Sequence, residues 1–399
     1  MSDGILQSLD RVLVTVTGPD RTGVTAKLTG ILAEQGASLF DIEQVVVQGQ
    51  LTLCLLVGVP GTRDVLKELL FTAKELGMDL DFKPVVATPE PTGPEGRRYV
   101  ITAIAPTLGP QHLHVLASTL AAESANIEKI SRLSEGTLAS IEIHASLPHG
   151  RDSEVLKSTL LGVATNAGFD VSLQRESLYR RSKRLVVMDM DSTLIRIEVI
   201  DELARAAGIG AEVAKITERA MQGEMDYDES LRQRVGLLKG LDVAVLDKIA
   251  SDLPLTDGAE TLVRVLKRLG YRIAVISGGF SRAADALKRR LDLNYAYSNN
   301  LEVVGGKLTG RVVGPIVNAQ RKAELLDTIA QAEGILLDQV IAVGDGANDA
   351  LMLDRAGLGI AFHAKPKLRA AADTSISSSG LDAILYLLGI SARELQEVQ

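Results

Sequence analysis

Three matched segments, all separated by the same spacing, constrain the first half of the chain most. Leu32–Ile42 aligns with Leu120–Ile130 without a gap, and inside it Gly36-Ala37-Ser38-Leu39 stands opposite Ser124-Ala125-Asn126-Ile127. Val12–Thr17 aligns with Val100–Ala105, and Thr52–Val57 with Ser140–Ala145, every pair 88 residues apart. A fixed period of this kind marks duplicated units. The β-branched-rich runs read as strands. A second helix follows in each unit (Val65–Leu76, Val155–Ala167), then a short closing strand (Asp79–Phe82, Asp170–Leu173). Both units spell β-α-β-β-α-β, the ferredoxin-like order. Between them runs Ala87-Thr-Pro-Glu-Pro-Thr-Gly-Pro-Glu-Gly96, whose prolines and glycines exclude helix and central strand.

From Leu185 onward the pattern changes. Leu185–Met188, Arg272–Ile276, Gln339–Val343 and Gly359–Ala361 are near-continuous apolar runs alternating with helical segments. Such runs belong to parallel strands covered on both faces. The stretch from about Glu198 to Leu262 shows helical segments and no strand. It reads as a helical cap over the carboxyl edge of the sheet, where α/β folds bind ligands. The expected fold is therefore α/β: a Rossmann-like parallel sheet with an inserted helical cap, preceded by two ferredoxin-like α+β domains. The boundaries fall at 1–88, 97–178 and 183–399, with the cap at about 198–262 and a second junction at the basic stretch Arg180–Lys183.

Composition narrows the partners. With 43 basic and 51 acidic residues the net charge is −8, which argues against a nucleic-acid partner. No apolar run approaches the ~20 residues of a membrane span. Met1-Ser-Asp-Gly has neither the basic nor the apolar region of a signal peptide. The one cysteine, Cys54, lies in the apolar run Leu51–Val59 and reads as a small buried hydrophobe. These features together place the chain in the cytoplasm.

The chemistry concentrates at strand ends. Leu185-Val-Val-Met runs into Asp189 and Asp191, two carboxylates at i and i+2, with Thr193 next. Acids that close repel unless a cation or proton separates them. One can serve as nucleophile and the other as general acid/base. A second apolar strand ends in Ser277-Gly278-Gly279, where glycines let backbone N–H groups approach an anion. Lys322 stands near the start of the helix Arg321–Ala332. A third strand ends in Val343-Gly-Asp345-Gly-Ala-Asn348-Asp349, whose oxygens suit Mg²⁺.

Read in order, these four pieces resemble the haloacid dehalogenase superfamily, D-x-D-x-T, Ser, Lys, then G-D-G-x-N-D, from Lys183 to the C-terminus. The resemblance implies that Asp189 attacks phosphorus and that Asp191 protonates the leaving oxygen and later activates water. It implies that Mg²⁺ sits on the Asp189 carboxylate, the Asp191 carbonyl and Asp345. Ser277, Gly278, Gly279 and Lys322 would grip the phosphoryl oxygens, with Thr193, Asn348 and Asp349 supporting metal and substrate. The runs Asp189–Ile195, Glu198-Val-Ile-Asp-Glu, Ser230-Leu-Arg-Gln-Arg234-Val and Val275–Phe280 resemble the phosphoserine phosphatase family more narrowly. That implies O-phospho-L-serine as substrate and a place at the end of serine biosynthesis. Glu198 would take its ammonium, Arg234 its carboxylate through a bidentate fork, and Tyr227 would help close the pocket. A phosphotransferase using homoserine as acceptor, or an inactive amino-acid sensor, remains an alternative. His363 stands where the family often has Asn, after what reads as the last core strand. His112 and His114, two apart, do not share a helix face and make no zinc pair.

The first repeat carries Thr17-Gly18-Pro-Asp20-Arg-Thr-Gly23-Val24 between strand and helix. This resembles the ACT domain, an amino-acid-sensing module. The resemblance implies an effector, L-serine, near Gly18, Asp20 and Gly23, and pairing into a homodimer. The second repeat, Ala105-Pro-Thr-Leu-Gly109-Pro, keeps a glycine, Gly109, but has no Asp opposite Asp20.

Overall fold

The computed structural model describes residues 10–59, 62–85, 96–134 and 138–398. The chain divides into two compact units, residues 1–94 and 95–399. Ala87–Glu95 of the expected linker lies outside the described residues. Gly96 instead opens a strand, paired with Pro148, and a Cβ there would lie 2.3 Å from the Leu147 carbonyl oxygen of the neighbouring strand, so only glycine fits.

The first unit holds strands β1 (Asp10–Pro19), β2 (Ser38–Val47), β3 (Gln50–Val59) and β4 (Asp79–Val85) in the antiparallel order β2-β3-β1-β4. Helices Val24–Glu34 and Thr62–Glu75 connect them as expected. The alternation along β3 sends Leu51, Leu53, Leu55 and Val57 into the core with Val14, Val16 and Leu28. The same period turns Cys54 to the opposite face, where it is half-buried rather than a core residue.

The second unit is built on one eleven-stranded sheet. The second repeat supplies β5 (Gly96–Ala105), β6 (Asn126–Ser134), β7 (Ala139–Pro148) and β8 (Asp170–Arg175). The remainder supplies β9 (Leu185–Met188), β10 (Arg272–Phe280), β11 (Tyr295–Val304), β12 (Lys307–Val313), β13 (Val340–Gly344), β14 (Leu358–Phe362) and β15 (Thr374–Ile376). β11-β10-β9-β13-β14-β15 run parallel, β12 returns antiparallel on β11, and β8 pairs antiparallel with β15. β9, β13, β14 and β15 are buried along their length, as their apolar runs require, whereas β11 near the edge is only half-buried. Among the described residues no helix is long and apolar enough to cross a membrane.

Two features went beyond expectation. β15 follows β14, so His363 stands between two sheet strands rather than after the last. The second repeat also continues the parallel sheet. Thr374 Oγ1 donates to Ser172 Oγ at 2.5 Å, and Gln174 Nε2 to the Leu387 carbonyl at 3.0 Å. Asp170 accepts from Ser377 N, Ser378 N and Ser378 Oγ at 2.8, 3.2 and 3.0 Å. The basic stretch Arg180–Lys183 lies within this unit. Arg180 forms a buried ion pair with Glu142, and Lys183 Nζ donates to the Asp338 carbonyl at 2.6 Å.

Helices Val199–Ala206, Gly210–Met221, Tyr227–Leu237 and Val243–Ser251 follow the loop after β9 and form the cap. The next helix, Ala259–Arg268, packs on β10 through Leu262, Val263, Val265 and Leu266 and belongs to the sheet layer.

Candidate active site

β9, β10 and β13 lie side by side and point the same way, so the residues after each emerge at one edge of the sheet. Asp189 follows β9, Ser277 lies in the last turn of β10, and Asp345 follows β13. The helix Ala319–Ala332 brings Lys322 to the same point.

Asp189 is held on every side. Its N–H donates to the Val343 carbonyl at 2.9 Å, its Oδ1 accepts from Met190 N at 2.7 Å, and its Oδ2 faces Lys322 Nζ at 2.7 Å. Lys322 is fully buried and also donates to Asp349 Oδ1 at 2.7 Å. Burial opposes the lysine charge, but the Asp189 and Asp349 carboxylates outweigh it and hold Lys322 protonated. The other oxygen of Asp349 accepts from Gly346 N at 3.0 Å. Both its oxygens are thus engaged, and Asp349 acts by placing Lys322.

Burial first, then the charge of Asp349, pushes the Asp189 carboxyl up to about 8, with Lys322 pulling the other way. Burial and Asp349 likewise push Asp345 up to about 7, against a 3.0 Å hydrogen bond from Thr193 Oγ1. Asp189, Asp345 and Asp349 each present an oxygen within 4.8 Å of the others. Carboxylates crowded together against their own repulsion, with oxygen donors only, fit a small hard divalent cation.

Ser192 takes φ +57°, a left-handed conformation costing roughly 1–2 kcal/mol for a non-glycine residue. The chain turns there, and Asp191 Oδ1 accepts from Val199 N at 3.1 Å. Burial, then Glu198, then Asp189 raise the Asp191 carboxyl well above its usual range, which favours a proton on it.

Ser277 Oγ accepts from Gly279 N at 2.8 Å. Both glycines are there for close approach. A Cβ at Gly279 would lie 2.3 Å from Asp191 Oδ2, and one at Gly278 would lie 2.0 Å from Tyr227 Oη. Tyr227 Oη donates to the Gly278 carbonyl at 3.3 Å and ties the cap to this turn. Burial pushes its own pKa up to about 12, so it stays a donor. Asn299 Nδ2 donates to the same carbonyl at 2.8 Å and its Oδ1 accepts from Val317 N. Nothing local in the sequence distinguishes Asn299 from the neighbouring Asn300.

Many of these groups line one cavity of about 730 Å³, within the range of small-molecule sites, while Lys322, Thr193, Asp349 and Asn299 are buried behind its wall. Asp189, Asp191, Glu198, Tyr227, Arg234, Ser277, Gly278, Gly279, Asp345 and Asn348 all border it. Glu198 Oε1 accepts from Ser192 Oγ at 2.7 Å, and Arg234 Nε donates to the Ser230 carbonyl at 3.4 Å. The cavity also takes in Met225, Lys365 and Lys367, which the sequence reading passed over.

The expected effector residues lie elsewhere. In the first unit, Gly23 takes φ +92° at the start of helix Val24–Glu34, and Asp20 N donates to the Gly49 carbonyl at 2.8 Å. A Cβ on Gly18 would lie 2.8 Å from Met78 Sδ, so this turn packs closely on the Met78 side chain. In the second unit, Gly109 N donates to His112 Nδ1 at 2.9 Å, which gives His112 a helix-capping role.

Residues 183–357 match the family model of haloacid dehalogenase-like hydrolases, and residues 10–83 and 99–174 each match an ACT domain model. A phosphoserine phosphatase of Streptomyces coelicolor is 42% identical over 399 residues, spanning 99% of this chain and 96% of that protein. The phosphoserine phosphatase SerB2 of Mycobacterium tuberculosis is 42% identical over 96% of this chain and 94% of its own length. Among solved structures, a probable phosphoserine phosphatase from Vibrio cholerae is 36% identical, with a TM-score of 0.57 over 75% of this chain and 89% of its own.

Proposed function

Because the chain belongs to the phosphoserine phosphatases, a haloacid dehalogenase-like family here joined to two ACT domains, we propose that it hydrolyses O-phospho-L-serine through a phosphorylated Asp189. The observation that carries this reading is the Asp189 carboxylate, buried at a strand end with the Lys322 ammonium 2.7 Å away. In the first step an oxygen of Asp189 bonds to phosphorus and the bond from phosphorus to the serine oxygen breaks. Asp191 gives its proton to that oxygen. In the second step Asp191 takes a proton from water, the water oxygen bonds to phosphorus, and the bond to Asp189 breaks. Splitting the reaction in this way replaces one hard displacement by two easier ones. Lys322 balances charge on the phosphoryl oxygens, while the Gly278 N–H and the Ser277 hydroxyl, itself held by the Gly279 N–H, orient them. Glu198 receives the ammonium and Arg234 the carboxylate, giving each charged group of the substrate one partner.

Asp189, Asp345 and the main-chain carbonyl of Asp191 would hold Mg²⁺. When bound, the ion neutralises charge between nucleophile and phosphate. L-serine is assigned to Gly18, Asp20 and Gly23 of the first ACT domain, with Gly109 the lesser candidate in the second. Pairing into a homodimer is supported by β2, an edge strand that exposes Leu39, Ile42, Val45, Val46 and Val47. We divide the chain at 1–88, 97–178 and 183–399. A single cysteine fits a cytoplasmic protein.

The test is phosphate release from O-phospho-L-serine with Mg²⁺, with and without homoserine. Release that requires homoserine would mark a transferase. Asp189→Asn is expected to lose nearly all turnover, and retained turnover would remove the nucleophile assignment.

A further inference from the structure

Two cations at the mouth of the cavity have no place in the steps above. β14 lies parallel to β13, so the chain leaving Phe362 rises at the same edge as Asp345. It carries Lys365 and Lys367, both exposed and both bordering the cavity. The segment is anchored at both ends. His363 N donates to the Ile376 carbonyl at 2.7 Å and His363 Nε2 meets the Ser379 carbonyl at 2.9 Å. Further on, Asp373 meets Lys157 at 3.1 Å, Thr374 meets Ser172, and Ser377 and Ser378 meet Asp170. The second ACT domain thus holds the far end of the strip whose near end presents the lysines.

The charge around the cavity gives them a role. Asp189, Asp191, Glu198, Asp201 and Asp345 border it, against Arg234, Lys365 and Lys367. A phosphate dianion with one carboxylate and one ammonium arrives with a net charge of about −2. One hard divalent cation offsets part of the acidic lining. Without the two lysines, Arg234 would be left as the cation on the cavity wall, because the Lys322 ammonium is taken up by Asp189 and Asp349, and the mouth would draw this substrate less strongly. A lysine ammonium on its flexible stem suits attraction over distance better than a fixed bidentate grip. Within a Debye length of about 8–10 Å its field reaches the entering ligand.

We propose that Lys365 and Lys367 form a recruiting rim, a pair of specificity-determining cations that draw anionic phosphomonoesters into the cavity and lower KM without touching the reacting atoms. The inference rests on the hydrolase reading above. Its ligand class is set by net negative charge rather than by the serine moiety.

The test compares wild type, Lys365→Gln, Lys367→Gln, the double variant and the two Lys→Arg variants in the full chain. Hydrolysis of O-phospho-L-serine is followed from about 25 to 500 mM NaCl at fixed Mg²⁺. In the double variant kcat/KM is expected to fall about tenfold at low salt, within the range for electrostatic steering. The loss should sit in KM, shrink below about twofold at high salt, and be restored by arginine. An unchanged kcat/KM at low salt would overturn the proposal, and so would an equal loss at every salt or a loss confined to kcat. Wild type that cleaves p-nitrophenyl phosphate but not phosphoserine would refute the substrate reading alone. The same salt series on that ester would then decide on the rim.

Discussion

Asp170 is the residue on which the joint between the second ACT domain and the catalytic sheet most depends. It is 7% exposed and accepts three hydrogen bonds from Ser377 and Ser378. Removing it in Asp170→Ala leaves two backbone N–H groups without their acceptor, at roughly 1–3 kcal/mol each. Part of that is offset, because burial outweighs the three bonds and raises the Asp170 carboxyl above its usual range. We expect a net cost of about 3 kcal/mol for Asp170→Ala. Asp170→Asn keeps one acceptor but turns an amide donor towards donors, and should cost about 2 kcal/mol. A carboxyl whose pKa is raised by folding contributes stability that is complete below its unfolded pKa and lost as pH rises through the folded value. The gap between wild type and Asp170→Asn should therefore narrow as pH rises through that range. Urea unfolding of the full chain measures the cost, and hydrogen exchange of the peptide around residues 372–380 localises it. A cost below about 1 kcal/mol with unchanged exchange in that peptide would refute the reasoning. Because the same strip carries Lys367, the variant should also raise KM more at low salt than at high salt.

Gly278→Ala would place a methyl 2.0 Å from Tyr227 Oη, and the ring must move. kcat/KM should fall by roughly tenfold or more while the melting temperature shifts little, since a 1 Å displacement in a site is costly; wild-type kinetics would show that Tyr227 does not hold the closed mouth. Glu142→Gln leaves buried Arg180 without its partner and should cost about 3–5 kcal/mol near neutral pH. Burial raises the Glu142 carboxyl, but Arg180 and His144 pull it below 4.5. Its contribution is therefore present above that value and is lost as pH falls through the folded one. Melts in a series from pH 7 into acid should show the difference narrowing once the pH falls below 4.5, and a difference that stays constant down the series would argue against the ion pair as its source.

The groups proposed as catalytic were legible because the parallel sheet converts short motifs into shared geometry. Asp189, Ser277 and Asp345 each sit where an apolar run stops, and parallel neighbours must release those residues at one edge. Lys322 has no such flag, and only its order among the other motifs singled it out. Glu198 and Arg234 read as ordinary helix charges until the resemblance gave them a substrate. The strand period that marked β3 as buried also contained the correction to Cys54, since Leu51, Leu53 and Leu55 already occupied the inward face. The joint between the second ACT domain and the sheet was of another kind. Ser172 and Thr374 are 202 residues apart and their strands meet at one register pair, so no local period records the match. The sheet of the second repeat is thus continuous with the parallel sheet. Its hydrogen bonds fix the strip that carries Lys365 and Lys367, so any motion within that repeat has a covalently short path to the mouth of the active site.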